Sequence, residues 1–110
     1  MISMPGAFTP TEIQNAHRFG ADFVKLFPVE KMGADYVKTV KEPLSHIKLF
    51  AVGKINERNM RDYLDAGVSG FAIGSAIADK KFIADNDFEK ICELAKRHTQ
   101  IIINRKRTTE

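Results

Sequence analysis

The sequence predicts an α/β protein built on a parallel sheet. Helix signals alternate with short strand signals, and four strands can be counted, each followed by a helix. A pattern of helix, glycine and strand recurs around Gly20 and again around Gly67. Strands that alternate with helices in this way form right-handed parallel βαβ units.

A capping box marks the first helix of the chain. In Thr9-Pro10-Thr11-Glu12 the threonine is the expected N-cap, proline fills the first helical position, and glutamate stands three residues after the cap. The other elements follow from apolar spacing, caps and breakers. We expect strands ending near Met4 and at residues 23–27, 47–51 and 70–73, and helices at 33–40, after Asn56 and after Asn86.

Composition limits the chain to one ordinary globular domain, residues 1–110, with a polar tail at 104–110. Of its residues, 44% are hydrophobic and 28% charged, which is too apolar for a disordered chain. Its apolar runs are far shorter than a bilayer span, and no leader pattern opens the sequence, so we expect a cytoplasmic protein without a membrane partner. The single Cys92 lies in a helical pattern and is expected to be a reduced packing residue.

The charge pattern does not favour a nucleic-acid partner. The net charge is +3, but the 17 basic residues are scattered among 14 acidic ones. The basic cluster at 105–107 is expected to be part of a solvated terminus. The three histidines are not spaced as metal ligands.

The strand at residues 23–27 carries the most informative residue of the chain. Side chains alternate along a strand, so Phe23, Lys25 and Phe27 share one face. An ammonium group costs several kcal/mol to bury without a partner, and loss of its proton leaves an amine that can attack a carbonyl. Lys25 is therefore a candidate Schiff-base nucleophile. The alternatives are that it reaches solvent at the strand end or pairs with an acid.

Glycine-containing turns follow the last two strands. Gly53-Lys54 comes after one strand and Gly74-Ser75 after the next. Glycines at such positions let backbone N–H groups approach a phosphate, and the Lys54 and Ser75 side chains add donors. In a (β/α)8 barrel, the loops after the last two strands are where phosphate is commonly held.

Several motifs in order resemble the second half of the class I aldolases that cleave 2-keto-3-deoxy-6-phosphogluconate and 4-hydroxy-2-oxoglutarate. The motifs are Pro5-Gly6, Thr9-Pro10-Thr11-Glu12-Ile13, Gly20-Ala21-Asp22, Val24-Lys25-Leu26-Phe27-Pro28 and Pro43-Leu44-Ser45-His46-Ile47-Lys48. The resemblance implies an α/β fold of the (β/α)8 TIM-barrel family, of which this chain covers about the last four βα units. It also implies a small keto acid that yields pyruvate as the substrate, and no metal or other cofactor.

The resemblance assigns roles to particular residues. Lys25 would form the imine with the keto acid, Phe27 would line the pyruvate pocket, and Thr9 would lie near the mouth of the site. A substrate phosphate would sit against Gly53, Gly74 and Ser75. Where the family has Thr-Gly-Gly, this chain reads Val52-Gly53-Lys54, so Lys54 either supplies a charge in place of the lost contact or blocks the pocket.

The length of the chain qualifies these expectations. Eight βα units need roughly 200 residues, and the family's proton-transfer glutamate and carboxylate-binding arginine belong to the other half. We expect weak or absent turnover from this chain alone. Open sheet edges and an apolar face, expected to include Phe23, Phe27, Phe71 and Ile73, predict a homo-oligomer: a dimer that closes a barrel, or a trimer as in the family.

Two other functions compete with the aldolase prediction. One is a non-catalytic half-barrel that serves as an assembly module of the same fold. The other is a different phosphate-binding barrel, such as a decarboxylase or an epimerase. The Val-Lys-Leu-Phe-Pro strand disfavours this last class, because its chemistry does not require that lysine.

Overall fold

A parallel sheet with helices on one face forms the protein. The computed structural model describes the backbone of residues 1–109 and the side chains as far as Lys106. The strands are β1 (Gly6–Ala7), β2 (Val24–Leu26), β3 (Leu49–Val52) and β4 (Gly70–Ala72), and the helices are α1 (Pro10–Arg18), α2 (Gly33–Lys41), α3 (Met60–Ala66), α4 (Lys80–Ala84) and α5 (Phe88–Thr109).

The four strands lie side by side in chain order, and every neighbouring pair is parallel. Strands β1 and β4 are the two edges of this sheet. Lys25 on β2 is in register with Gly6 on β1 and with Phe50 on β3. The predicted α/β architecture of parallel βαβ units is thereby confirmed.

The hydrophobic core lies between the sheet and helices α1, α2 and α3. Val24 and Leu26 point into it from β2, and both are completely buried. Leu49 and Ala51 do the same from β3, where they meet Ile13, Val37 and Met60 of the helices. Burying a side chain of this size contributes about 1.5–3 kcal/mol, so this layer accounts for much of the stability of the fold.

The capping box at the start of α1 forms as predicted. The Glu12 amide donates to the Thr9 hydroxyl (3.3 Å), and the Glu12 carboxylate accepts from the Thr9 amide (2.9 Å) and hydroxyl (2.9 Å). These hydrogen bonds satisfy amides that would otherwise lack partners at the helix end. The pKa of Glu12 is lowered, first by the backbone hydrogen bond from Thr9 and then by its hydroxyl.

Three predicted boundaries shift in the structure. The first strand is Gly6–Ala7 and not a segment ending near Met4. Asn59, not Asn56, is the N-cap residue of α3, because the Asn56 side chain instead accepts from the amides of the turn before the helix. Helix α5 is capped by Asp87 and not by Asn86: the Asp87 carboxylate accepts from the Lys90 amide at 3.2 Å.

The carboxyl-terminal segment is part of the last helix. The stretch expected to be a polar tail from residue 104 continues helix α5 as far as Thr109. Arg105 donates to the carboxylate of Asp65 on α3 at 2.8 Å, and Arg97 pairs with Glu57 at 2.9 Å. These two ion pairs hold helix α5 against α3 and the turn that precedes it. Cys92 was expected to pack inside, but it is exposed on this helix.

The second face of the sheet is not covered by helices. Phe27 on this face is 55% exposed. The pairing of Ala51 with Phe71 turns Phe71 to the helix side, where it and Ile73 pack against the core. Their predicted position on the open face is therefore wrong, because the register of β4 places Gly70 and Ala72 there instead.

None of the helices of residues 1–109 combines the length and the apolar character that crossing a membrane requires.

Candidate active site

Lys25 lies on the open face of the sheet, in the middle of β2. A pocket of about 290 Å³ is lined by Gly6, Lys25, Phe27 and Val52. These residues come from three adjacent strands or their ends, and parallel pairing brings them together. Lys25 is the ionisable residue of the four, and its side chain is half-buried. Lys25 is thus the one residue of this lining that carries an amine, and the other three are apolar.

The sequence left open whether Lys25 pairs with an acid. Among the side chains of residues 1–106, no carboxylate forms an ion pair with it. Its backbone amide donates to the carbonyl of Pro5 at 2.8 Å, which fixes the strand on which it stands. The amine is therefore available to a ligand that enters the pocket.

The two phenylalanines that flank Lys25 in the sequence have different surroundings. Phe27 forms part of the pocket wall. Phe23 instead packs against Phe50, with ring centroids 5.0 Å apart, and the Lys48 amine lies 5.7 Å from the Phe23 ring centroid. Of these two phenylalanines, Phe27 lines the pocket that contains Lys25 and Phe23 does not.

The turn after β3 is built closely against the segment after β2. Gly53 has a φ of 124°, and a Cβ atom there would lie 3.1 Å from the Val29 amide nitrogen. Lys54 also has a positive φ, 48°, at the position where the family motif has glycine. The conformation of this turn thus suits glycine at both positions, and Lys54 adopts it at a cost.

The side chain of Lys54 is exposed and is not part of the pocket lining. It is 81% exposed, and its amine lies 3.2 Å from a carboxylate oxygen of Glu30. Its positive charge is therefore partly compensated by Glu30, a partner that the sequence analysis missed. Glu30 lies only five residues after Lys25, but the pairing depends on the contact between two loops.

The other predicted binding residues follow the two outer strands. Thr9 follows β1, and its hydroxyl is engaged in the α1 capping box. Gly74 and Ser75 follow β4 and are exposed, and the space around Gly74 is open. All of them lie at the carboxyl edge of the sheet, on either side of β2. The structure brings Lys25 and Phe27 into one pocket, whose lining does not include Thr9, Gly74 or Ser75.

Two pocket residues were not predicted as site residues. Gly6 and Val52 belong to recognisable sequence motifs, but their proximity to Lys25 depends on strand register. An added Cβ at Gly6 would meet nothing closer than the Lys25 carbonyl oxygen at 3.9 Å, so the glycine keeps this side of the pocket open. Within the described part of the chain, no three His, Cys, Asp or Glu side chains cluster as metal ligands.

Fold and site together define half of a (β/α)8 barrel with a lysine amine in a pocket on the sheet face that such a barrel encloses. The model of the family described as "Aldolase: KDPG and KHG aldolase" matches residues 1–94. The chain belongs to this KDPG and KHG aldolase family.

Comparisons with individual proteins agree with this membership. A 2-dehydro-3-deoxy-6-phosphogalactonate aldolase of Escherichia coli is 40% identical over 76 residues, which are 68% of this chain and 37% of that protein. A solved structure described as "Native KDPGal structure" has a TM-score of 0.78 and 30% identity, covering 93% of this chain and 50% of the other.

A second solved structure is a cube-shaped protein cage designed by fusing symmetric oligomeric domains. It has a TM-score of 0.74 and 28% identity, and the match covers 99% of this chain and 42% of that one. The chain thus spans half or less of the length of each of these three proteins.

Proposed function

We propose that the chain carries the imine-forming site of a class I aldolase, which cleaves 2-keto-3-deoxy-6-phosphogluconate or 4-hydroxy-2-oxoglutarate to pyruvate and an aldehyde. The observation that carries this proposal is the position of Lys25, whose amine has no carboxylate partner among residues 1–106 and borders a small pocket. The family match over residues 1–94 supports the same chemistry.

The proposed reaction begins when the neutral amine of Lys25 attacks the ketone carbon of the substrate. Uptake of a proton and loss of water give a protonated imine, which accepts the electron pair of the breaking carbon–carbon bond. A base removes the proton of the hydroxyl that becomes the aldehyde. Protonation of the resulting enamine carbon and hydrolysis of the imine then release pyruvate and the free amine.

The pocket lining offers no group for the proton transfers. None of its four residues is a carboxylate or a histidine. General acid–base catalysis typically contributes 10²- to 10⁴-fold to a rate, so we expect imine formation without efficient turnover in this chain alone.

The charged side chains in the turn after β3 affect which substrate the pocket favours. Lys54 would be the cation nearest a substrate phosphate in the turn after β3, but Glu30 already pairs with it at 3.2 Å. A phosphate dianion would have to compete with that carboxylate. This arrangement favours the smaller 4-hydroxy-2-oxoglutarate, or a keto acid of similar size. Thr9, Gly53, Gly74 and Ser75 remain proposed substrate contacts.

The open edges and the uncovered face of the sheet also suggest how copies of this chain associate. Strands β1 and β4 have one neighbour each, and the face that carries Lys25 and Phe27 has no helix layer over it. Such edges and apolar faces favour association. We propose a homo-oligomer, either a dimer that closes a barrel or a trimer as in the family. Sedimentation of a stable monomer at micromolar concentrations would contradict this part.

A non-catalytic assembly module is the second candidate function. It is favoured by the absence of an acid–base group from the pocket lining. This module and the aldolase site differ in one property, the capture of a carbonyl compound by Lys25.

Trapping with borohydride tests this property directly. Folded protein is incubated with pyruvate, reduced with borohydride and analysed by peptide mass spectrometry. We expect a stable carboxyethyl adduct on Lys25, none in Lys25→Met, and an unchanged yield in Lys38→Met, which removes an exposed lysine of α2. If folded wild-type protein gives no adduct at Lys25, the aldolase site is refuted and the assembly module is favoured.

A further inference from the structure

Two segments form the rim of the Lys25 pocket, residues 27–30 after β2 and residues 52–54 at the end of β3. They are joined to each other directly. The Val29 amide donates to the Val52 carbonyl at 3.0 Å, and Gly53 packs against the backbone of Pro28 and Val29. The ion pair of Glu30 with Lys54 adds a contact between their side chains. The rim therefore behaves as one unit.

Helix α3 and its N-cap residue form a hydrogen bond to each of the two rim segments. The hydroxyl of Tyr63 donates to the Val29 carbonyl at 3.3 Å. At the N-cap of the same helix, Asn59 Nδ2 donates to the Lys54 carbonyl at 2.9 Å, while its Oδ1 accepts from the Asn56 amide at 2.9 Å. One short helix thus fixes a backbone carbonyl in each segment.

The Tyr63 hydrogen bond is part of a shared junction. The Val29 carbonyl also accepts from the amides of Met32 and Gly33, which begin α2. Tyr63 is buried, and the pKa of its phenol is raised, first by burial and then by the negative charges of Asp62 and Glu30. The phenol therefore remains a hydrogen-bond donor beyond the neutral pH range.

We infer that α3 is a clamp for the rim of the Lys25 pocket, with Tyr63 and Asn59 as its positioning residues. Phe27 and Val52, two of the four pocket-lining residues, each stand two residues before a carbonyl that the clamp bonds, those of Val29 and Lys54. Lys25 itself is held by the strand ladder between β1 and β3. Loss of a clamp hydrogen bond should therefore weaken the binding of a keto acid in the pocket more than it changes the reactivity of the Lys25 amine.

The inference rests on the proposed function and predicts a division between binding and reactivity. In Tyr63→Phe, which removes only the hydroxyl, the pyruvate concentration for half-maximal borohydride trapping should rise about 3- to 10-fold, the effect of one lost hydrogen bond. The trapping rate at saturating pyruvate should stay within about twofold. Asn59→Asp, which keeps the acceptor for Asn56 and removes the donor to Lys54, should behave in the same way.

A stability control separates positioning from general weakening of the fold. Val37→Ala removes buried volume on α2 at a site outside the pocket lining and the rim. It should lower the melting temperature at least as much as Tyr63→Phe and leave half-saturation unchanged. Amide hydrogen exchange should accelerate at Val29 in Tyr63→Phe but not in Val37→Ala under conditions where both are folded.

The possible results are distinguishable. A wild-type adduct with unchanged half-saturation in both clamp variants overturns the clamp and leaves the proposed function intact. A parallel rise in Val37→Ala assigns the effect to stability and also overturns it. Complete absence of the wild-type adduct refutes the proposed function itself, and with it any role of the clamp in that reaction.

Discussion

The turn at Gly53 should be among the least tolerant positions of this chain. Replacing Gly53 by alanine forces a side chain into a φ of 124°, a conformation that costs about 1–3 kcal/mol for residues other than glycine. The new Cβ would also lie 3.1 Å from the Val29 nitrogen and 3.4 Å from the Pro28 Cα. The shifts needed to accommodate the new Cβ add about 1–3 kcal/mol to the loss of stability.

The unfolded chain reduces that cost slightly. Alanine has less conformational freedom than glycine when unfolded, which offsets about 0.4–1 kcal/mol. We therefore expect Gly53→Ala to lower the free energy of unfolding by about 1–5.5 kcal/mol, compared with the roughly 5–15 kcal/mol that is usual for a domain. Urea unfolding followed by far-ultraviolet circular dichroism measures this directly.

Two other glycines provide matched controls. Gly20 has a φ of 98° with nothing within 4 Å of an added Cβ, whereas Gly74 has open space and no left-handed backbone. Gly20→Ala should therefore cost only the backbone part, about 1–2 kcal/mol, and Gly74→Ala should stay within about 0.5 kcal/mol of wild type. If Gly53→Ala is as stable as Gly74→Ala, the contact between the two rim segments is not as described.

Two further predictions concern the helix cap and the two faces of β2. Because the pKa of Glu12 is lowered on folding, its contribution to stability is present above its unfolded value and is lost as pH falls through the folded value. Glu12→Gln should therefore flatten the decrease of the urea midpoint as the pH falls below 4.5, the ordinary pKa of this carboxyl. An undiminished decrease would exclude this cap as its source. Leu26→Ala, at a completely buried position, should lower the free energy of unfolding in urea by about 2–5 kcal/mol. Phe27→Ala on the open face should lower it by less than about 1 kcal/mol. Equal losses in the two variants would contradict the assignment of the two faces.

Much of the fold could be predicted because its signals are local. The α1 cap depends on residues three apart, and the order of strands and helices follows from caps, breakers and apolar spacing along the chain. The opposite faces of Lys25 and Leu26 follow from the alternation of a strand. The family membership likewise follows from short motifs in a fixed order.

The composition of the pocket could not be obtained in the same way. Gly6 and Val52 meet Lys25 through parallel pairing of three strands, and register is not encoded in any one of them. The same ambiguity put Phe71 on the wrong face, since a shift of one residue moves a side chain to the other side of a sheet. The expectation that Cys92 is a packing residue failed for a related reason. Apolar spacing along α5 does not show which face of this helix packs against α3.

The sequence by itself determined the α/β class, the capped first helix and a lysine on one face of an apolar strand. These properties depend on covalent neighbours, whose hydrogen bonds and side-chain directions are set within a few residues. Only the tertiary structure decided that Lys25 lacks a carboxylate partner among residues 1–106, that Glu30 pairs with Lys54, and that Tyr63 and Asn59 hold the rim. Those contacts join separate loops, and their geometry exists only after the strands have paired and α3 has packed beneath them.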